Sequence, residues 1–187
     1  MSIGMALRIL VVVLGIGSMP PIAAADQNDA RLDGLFERLR DASSAREGDR
    51  LQARIWEIWL ETDDPEAAKL MRQGIVATNA RRYDRALDRF DQLVARAPEF
   101  AEAWNRRATL YFLMGDYTAS VTDIQRTLAL EPRHFGALSG LGMIYDALDR
   151  EDAALRSFEA ALDLNPYLDA ARKRAAEIRR ENRGQPT

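Results

Sequence analysis

The 187-residue sequence contains no cysteine. That excludes a disulfide framework, a thiolate nucleophile, a cysteine-ligated zinc and a lipidated N-terminal cysteine. Histidine is almost as scarce: His134 stands alone. One imidazole without thiols does not make an ordinary transition-metal site, which gathers several nitrogen or sulfur ligands. Lysine is nearly missing too. Of 26 basic residues, only Lys69 and Lys173 are lysine and the rest are arginine, a skew read first as GC-rich genome composition. Neither charge sign dominates, since the formal net charge is -3. With a pI near 5.3, that balance argues against a general nucleic-acid binder. No stretch reads as a strand. What is present is 47% hydrophobic and 29% charged residues, enough for a packed core. The length fits one domain or one short stack of repeats.

Residues 1–25 stand apart from the rest. Met1–Arg8 carries one positive charge and no acid, and Ile9–Met19 is almost unbroken apolar sequence. That run has the length of a signal h-region and is short for crossing a bilayer. Pro20 and Pro21 stop a helix, and Ala23-Ala24-Ala25 supplies small residues before Asp26. The pattern predicts a secretory signal peptide cleaved at about Ala25/Asp26, placing the mature chain in the periplasm or outside the cell, free of the membrane. The alternative is an uncleaved anchor holding the chain to the inner membrane.

Beyond the leader the sequence repeats with a period of 34. Pro98, Pro132 and Pro166 share one phase, as do Gly74, Ala108 and Gly142. Ala86, Ser120 and Ala154 share another, and Phe90, Ile124 and Phe158 a further one. Within one unit, Trp104, Ala108 and Tyr111 lie at helical spacing and form one apolar stripe. Gly115-Asp116 breaks that helix, and Ser120, Val121, Ile124 and Leu128 form the stripe of the next. The small columns let the two helices approach closely. Each unit is then an antiparallel helix pair that buries both faces only by stacking.

These residues resemble the tetratricopeptide repeat family. The middle unit, A-E-A-W-N-R-R-A-T-L-Y-F-L-M-G-D-Y-T-A-S, is close to W-x2-L-G-x2-Y…A-x3-F…P, departing at Arg107 and Ser120. The resemblance implies an all-α solenoid of about nine helices in the mature chain. The units fall at 65–98, 99–132 and 133–166. A degenerate helix pair at 26–64 precedes them; its Trp56 and Trp59 fall one period before Phe90 and Leu93. A solvating helix caps the stack at 167–182, and 183–187 is a polar tail.

Chemistry is not signalled. His134 follows Pro132-Arg133 and is expected to be an exposed turn residue. Ser120 sits in a packing column, Gly140-Leu141-Gly142 lacks phosphate-loop spacing and context, and the carboxylates are scattered. The expectation is a non-enzymatic module with no catalytic residue, metal or cofactor. In the resembled family the first helices line a concave groove that takes a partner peptide or helix. Carried over, that groove comprises Arg72, Asn79, Asn105, Arg106, Thr109, Phe112, Ser139, Met143 and Asp146. Phe112 and Met143 would give apolar contact, and Asn79 and Asn105 would hold a partner backbone. Arg38, Arg72, Arg106 and Arg174 share one phase, which suggests a cationic track for acidic segments of a protein partner. The family's clamp for acidic chaperone C-termini is not matched, because its positions here hold Met71, Ile75, Arg106, Gly136 and Gly140. A self-associating scaffold is the other non-enzymatic reading, and the oligomeric state is open.

Overall fold

A computed structural model describes residues 26–184, so the expected leader and the last three residues lie outside the described part. After a 3₁₀ turn at Asp26–Asn28 come nine helices: α1 (Arg31–Arg40), α2 (Ala45–Leu60), α3 (Pro65–Asn79), α4 (Tyr83–Arg96), α5 (Ala101–Met114), α6 (Tyr117–Leu130), α7 (Phe135–Ala147), α8 (Glu151–Leu164) and α9 (Asp169–Gly184). No strand occurs among the described residues. The final helix runs through Arg183 and Gly184, so it extends into the stretch expected as a polar tail.

Helix ends follow local chemistry. Ser44 accepts a hydrogen bond from the Glu47 N–H, and Asp64 caps α3 ahead of Pro65 in the first turn. The turn inside each unit needs one residue with positive φ, and the period places it at Arg81, Gly115 and Asp149. Only the middle unit uses glycine there, so the other two hold an L side chain in the left-handed region.

The units α3/α4, α5/α6 and α7/α8 pack as antiparallel pairs and then stack on one another, with α9 closing the end. The small columns do what their size allows. A Cβ on Gly142 would come within 2.6 Å of the Phe158 ring, and one on Gly74 would overlap Phe90. Ser120 fits the alanine column because its hydroxyl donates to the Ala108 carbonyl at 2.8 Å. Arg107, in place of the usual leucine, is held by Asp123 through two bonds of 2.7 and 2.9 Å and by Asp91 at 2.7 Å. It ties α4, α5 and α6 together while stacking over Trp104.

The N-terminal pair departs from the repeat. Four residues separate α2 from α3, as they do α4 from α5, α6 from α7 and α8 from α9. The backbone leaves at a different angle, however. Glu61 has φ -68 and ψ 143, whereas Ala97, Glu131 and Asn165 lie between φ -127 and -139 with ψ of 69 to 95. As a result α2 does not pack along α3 as a preceding repeat would; it reaches α5 instead. Its core residues Ile55, Ile58 and Trp59 join Leu32, Phe36 and Leu39 of α1 around Phe135, at the start of α7.

Candidate functional site: a groove braced by the N-terminal helix pair

The N-terminal ends of α5, α7 and α9 face α2. Along that row the N-terminal pair fastens each of the three inter-unit turns. At the first, Gln27 donates its amide to the Glu99 carbonyl at 2.7 Å. At the second, Asp33 pairs with Arg133 at 2.6 Å, and the Trp59 indole stacks on His134 with ring centres 4.1 Å apart. At the third, Asn165 donates to Gln52 at 2.5 Å and the Tyr167 hydroxyl donates to the Ala42 carbonyl. Two glycines make the seat. A Cβ on Gly136 would lie 2.5 Å from the Trp56 ring, and one on Gly48 would overlap Tyr167.

His134 is therefore not an exposed turn residue; it is fully buried. Its Nδ1 accepts the Ala137 N–H at 3.0 Å and caps α7. That bond leaves the proton on Nε2, which donates to Glu102 at 3.0 Å. Glu102 is itself buried and also accepts from Asn105 at 2.9 Å and Arg106 at 2.6 Å. Burial pushes the Glu102 carboxyl up. The Arg106 charge, the His134 contact and the Asn105 amide outweigh that and hold it below the ordinary carboxylate range. Arg106 in addition lies 5.6 Å from the Trp56 ring centre. This cluster locks α2 to α5 and α7. The polar atoms of Glu102, Asn105, Arg106 and His134 pair with one another, while the buried Trp59 indole N–H has no hydrogen-bond partner.

What α2 leaves open is a channel over the middle and far parts of α5 and α7. One hollow of about 330 Å³ runs from Trp56 past Thr109 and Gly140 to Phe112 and Met143. It continues through Phe112, Ser139 and Met143 into a second of about 370 Å³ beside Asp146, Ala170 and Arg174. Its floor is apolar, and Met143 is 46% exposed. Thr109 spends its hydroxyl on the Asn105 carbonyl.

Of the nine groove residues expected from the sequence, six line this channel: Asn105, Thr109, Phe112, Ser139, Met143 and Asp146. Asn105 is almost buried with its amide committed to Glu102, so it is not free to hold a partner backbone. Arg106 sits at the braced end. Asn79 lies at the exposed end of α3, apart from the channel, and Arg72 lines a different hollow on α3 and α4. The arginine column does not form one track. Arg106 is neutralised by Glu102, and Arg174 pairs with Asp146 at 2.8 Å and with Glu177 and Glu181. Trp56, Gln52 and Leu168, which line the channel from outside the regular units, carry no repeat signal that would have placed them there. No group of three His, Asp or Glu side chains among the described residues is arranged to hold a metal.

The stacked helix pairs define a class, and comparison with known proteins agrees. The tetratricopeptide repeat family matches residues 71–121 and 106–169. A TPR repeat-containing protein of Rhizobium etli is 40% identical over 146 residues, covering 76% of this chain and 70% of that protein. Tetratricopeptide repeat protein 36 of Bos taurus is 32% identical over 122 residues, covering 57% of this chain and 65% of that protein. This chain belongs to the tetratricopeptide repeat family. Among solved structures, the first TPR of Spaghetti bound to an HSP90 peptide superposes with a TM-score of 0.61 at 23% identity, covering 65% of this chain and 97% of that one. MamA superposes with a TM-score of 0.58 at 18% identity, covering 84% of this chain and 79% of that one. At those identities the likeness is one of fold.

Proposed function

We propose that this protein is a non-enzymatic adaptor that holds a short, mainly apolar segment of a partner protein in the channel between α2, α5, α7 and α9. The carrying observation is the open apolar floor of Phe112 and Met143 beside Trp56, in a groove whose arginines are already paired with its own acids. Peptide capture by a structural neighbour supports the mode. The channel's chemistry sets a different preference from an acidic-tail clamp: Met71 is buried, Arg106 is committed, and Gly136 lies under Trp56. A preformed channel of this size suits a micromolar affinity, about -8 kcal/mol.

Photo-crosslinking tests the site. A benzophenone side chain replacing Met143 should capture a defined protein partner in cells, and the capture should fall at least about tenfold when Phe112→Ala is added. Equal capture from the α8 position Arg156 would overturn the proposal.

The site of action is proposed to be the bacterial envelope, on the strength of the leader-like residues 1–25. N-terminal sequencing of protein released by osmotic shock should begin at about Asp26. Recovery of intact residues 1–25 in the soluble cytoplasm would refute it.

A further inference from the structure

The period that builds the stack also shows where the stack is unfinished. Lys69, Ala103, Ala137 and Ala171 share one column, and Val76, Leu110, Ile144 and Ile178 share another. On α5, α7 and α9 these columns pack against the second helix of the preceding unit and are buried. On α3 they face outward: Val76 is 67% exposed, and Lys69, Gln73 and Ala80 are exposed with it. In chain order α2 is the helix that should lie there, but it lies along the inter-unit turns instead.

The hollow left on this face has a volume of about 580 Å³, and arginine rims it: Arg72, Arg82, Arg85 and Arg89. Among the described residues, Arg72, Arg82 and Arg85 have no carboxylate within ion-pair distance, and Arg89 meets only its neighbour Asp88, at 3.5 Å. We infer that this face is a docking site for an acidic amphipathic helix of a partner protein, seated as the second helix of a missing preceding unit. A helix is the matching shape because the same face of α5, α7 and α9 receives one. Acid is the matching charge because three of the four rim guanidinium groups have no ion-pair partner among the described residues. Two of the three internal joints already use this pairing. Asp91 of α4 meets Arg107 of α5 at 2.7 Å, and Glu159 of α8, two periods on from Asp91, meets Arg179 of α9 at 2.6 Å.

The chain itself does not supply the occupant. A second copy of this face would bring arginine against arginine. A copy stacked head to tail would bring α9, whose six basic residues outnumber its three acids. Residues 1–25 contain no acid. The site is separate from the channel of Phe112 and Met143 and does not depend on it.

The test uses the full chain and two labelled peptides of ~18 residues, both with a leucine stripe at helical spacing, one flanked by glutamate and the other by lysine. Fluorescence anisotropy should show the glutamate peptide binding at least about tenfold tighter, with the difference shrinking as salt is raised. Arg82→Glu/Arg85→Glu/Arg89→Glu should reverse the preference, Val76→Asp should weaken the glutamate peptide about tenfold, and Phe112→Ala/Met143→Glu should leave it unchanged. All the altered residues of this face lie on the surface, and circular dichroism verifies that the variants fold. Four results would each overturn the inference: no binding of either peptide, a preference unmoved by charge reversal, tighter retention of a single-stranded oligonucleotide or phosphatidylglycerol vesicle than of the glutamate peptide, or a dimer in light scattering that Val76→Asp dissolves.

Discussion

Glu102 carries more of the structure than its surface-loving residue type suggests. It is a buried anion that orders Asn105, Arg106 and His134, and through them the contact between α2 and the repeats. Glu102→Ala removes the acceptor from two buried donors, each of which then costs about 1–3 kcal/mol. Urea unfolding should show a total loss of about 3 kcal/mol, the scale of one to two such orphaned donors. The pH dependence follows from the lowered carboxyl. Its contribution is complete above the unfolded value of about 4.3 and is lost as pH falls through the lower folded value. Parent and Glu102→Gln melting temperatures should therefore converge as pH drops from neutrality toward 3. A constant gap across that range would show that the charge does not stabilise the fold. None of this was legible in the sequence. Pro132-Arg133-His134 reads as an exposed turn, and only the arrival of Trp59 from far along the chain makes it core.

At the scale of elements, the period set most of the geometry directly. Helix lengths, the small columns and the turn positions recur because each unit solves the same packing problem. The turns show where the solution is imperfect. Arg81 and Asp149 hold φ of 56 and 55 where Gly115 holds 81. Arg81→Gly and Asp149→Gly should each stabilise by about 0.5–1 kcal/mol, read as a higher urea midpoint. The element the period did not place is α2. Its tryptophans keep the repeat phase, yet the extended backbone at Glu61 sends the helix elsewhere. Gly136→Ala tests the seat it found, because the added methyl enters the Trp56 ring. We expect faster hydrogen exchange across α1 and α2 with little change in α7 and α8. Uniform protection in all four helices would show that the seat tolerates the methyl.

Across the whole molecule, one column reports the architecture. Val76, Leu110, Ile144 and Ile178 are equivalent in sequence, but three are core and one is surface. Leu110→Ala and Ile144→Ala should cost about 2–5 kcal/mol, while Val76→Ala stays within about 0.5 kcal/mol. Equal costs at all of them in urea titrations would mean that the α3 face is covered. The asymmetry also separates the two binding surfaces proposed for the molecule: a lined channel inside the stack and an open, arginine-rimmed face at its beginning.

By itself, the sequence determined what local chemistry and near-neighbour packing control. The 34-residue period, the small residues between paired helices and the breaks between them settle an all-α stack, because each unit touches only its neighbours. The tertiary structure alone decided where the irregular α1/α2 pair goes, since that depends on partners about 75 to 125 residues away in the chain, such as His134 for Trp59 and Tyr167 for Ala42. From that one placement came the burial of His134, the narrowed channel of Phe112 and Met143, and the uncovered face around Val76. Contacts of that range leave no periodic trace, so the same residues that spell the repeat are silent about what lies across it.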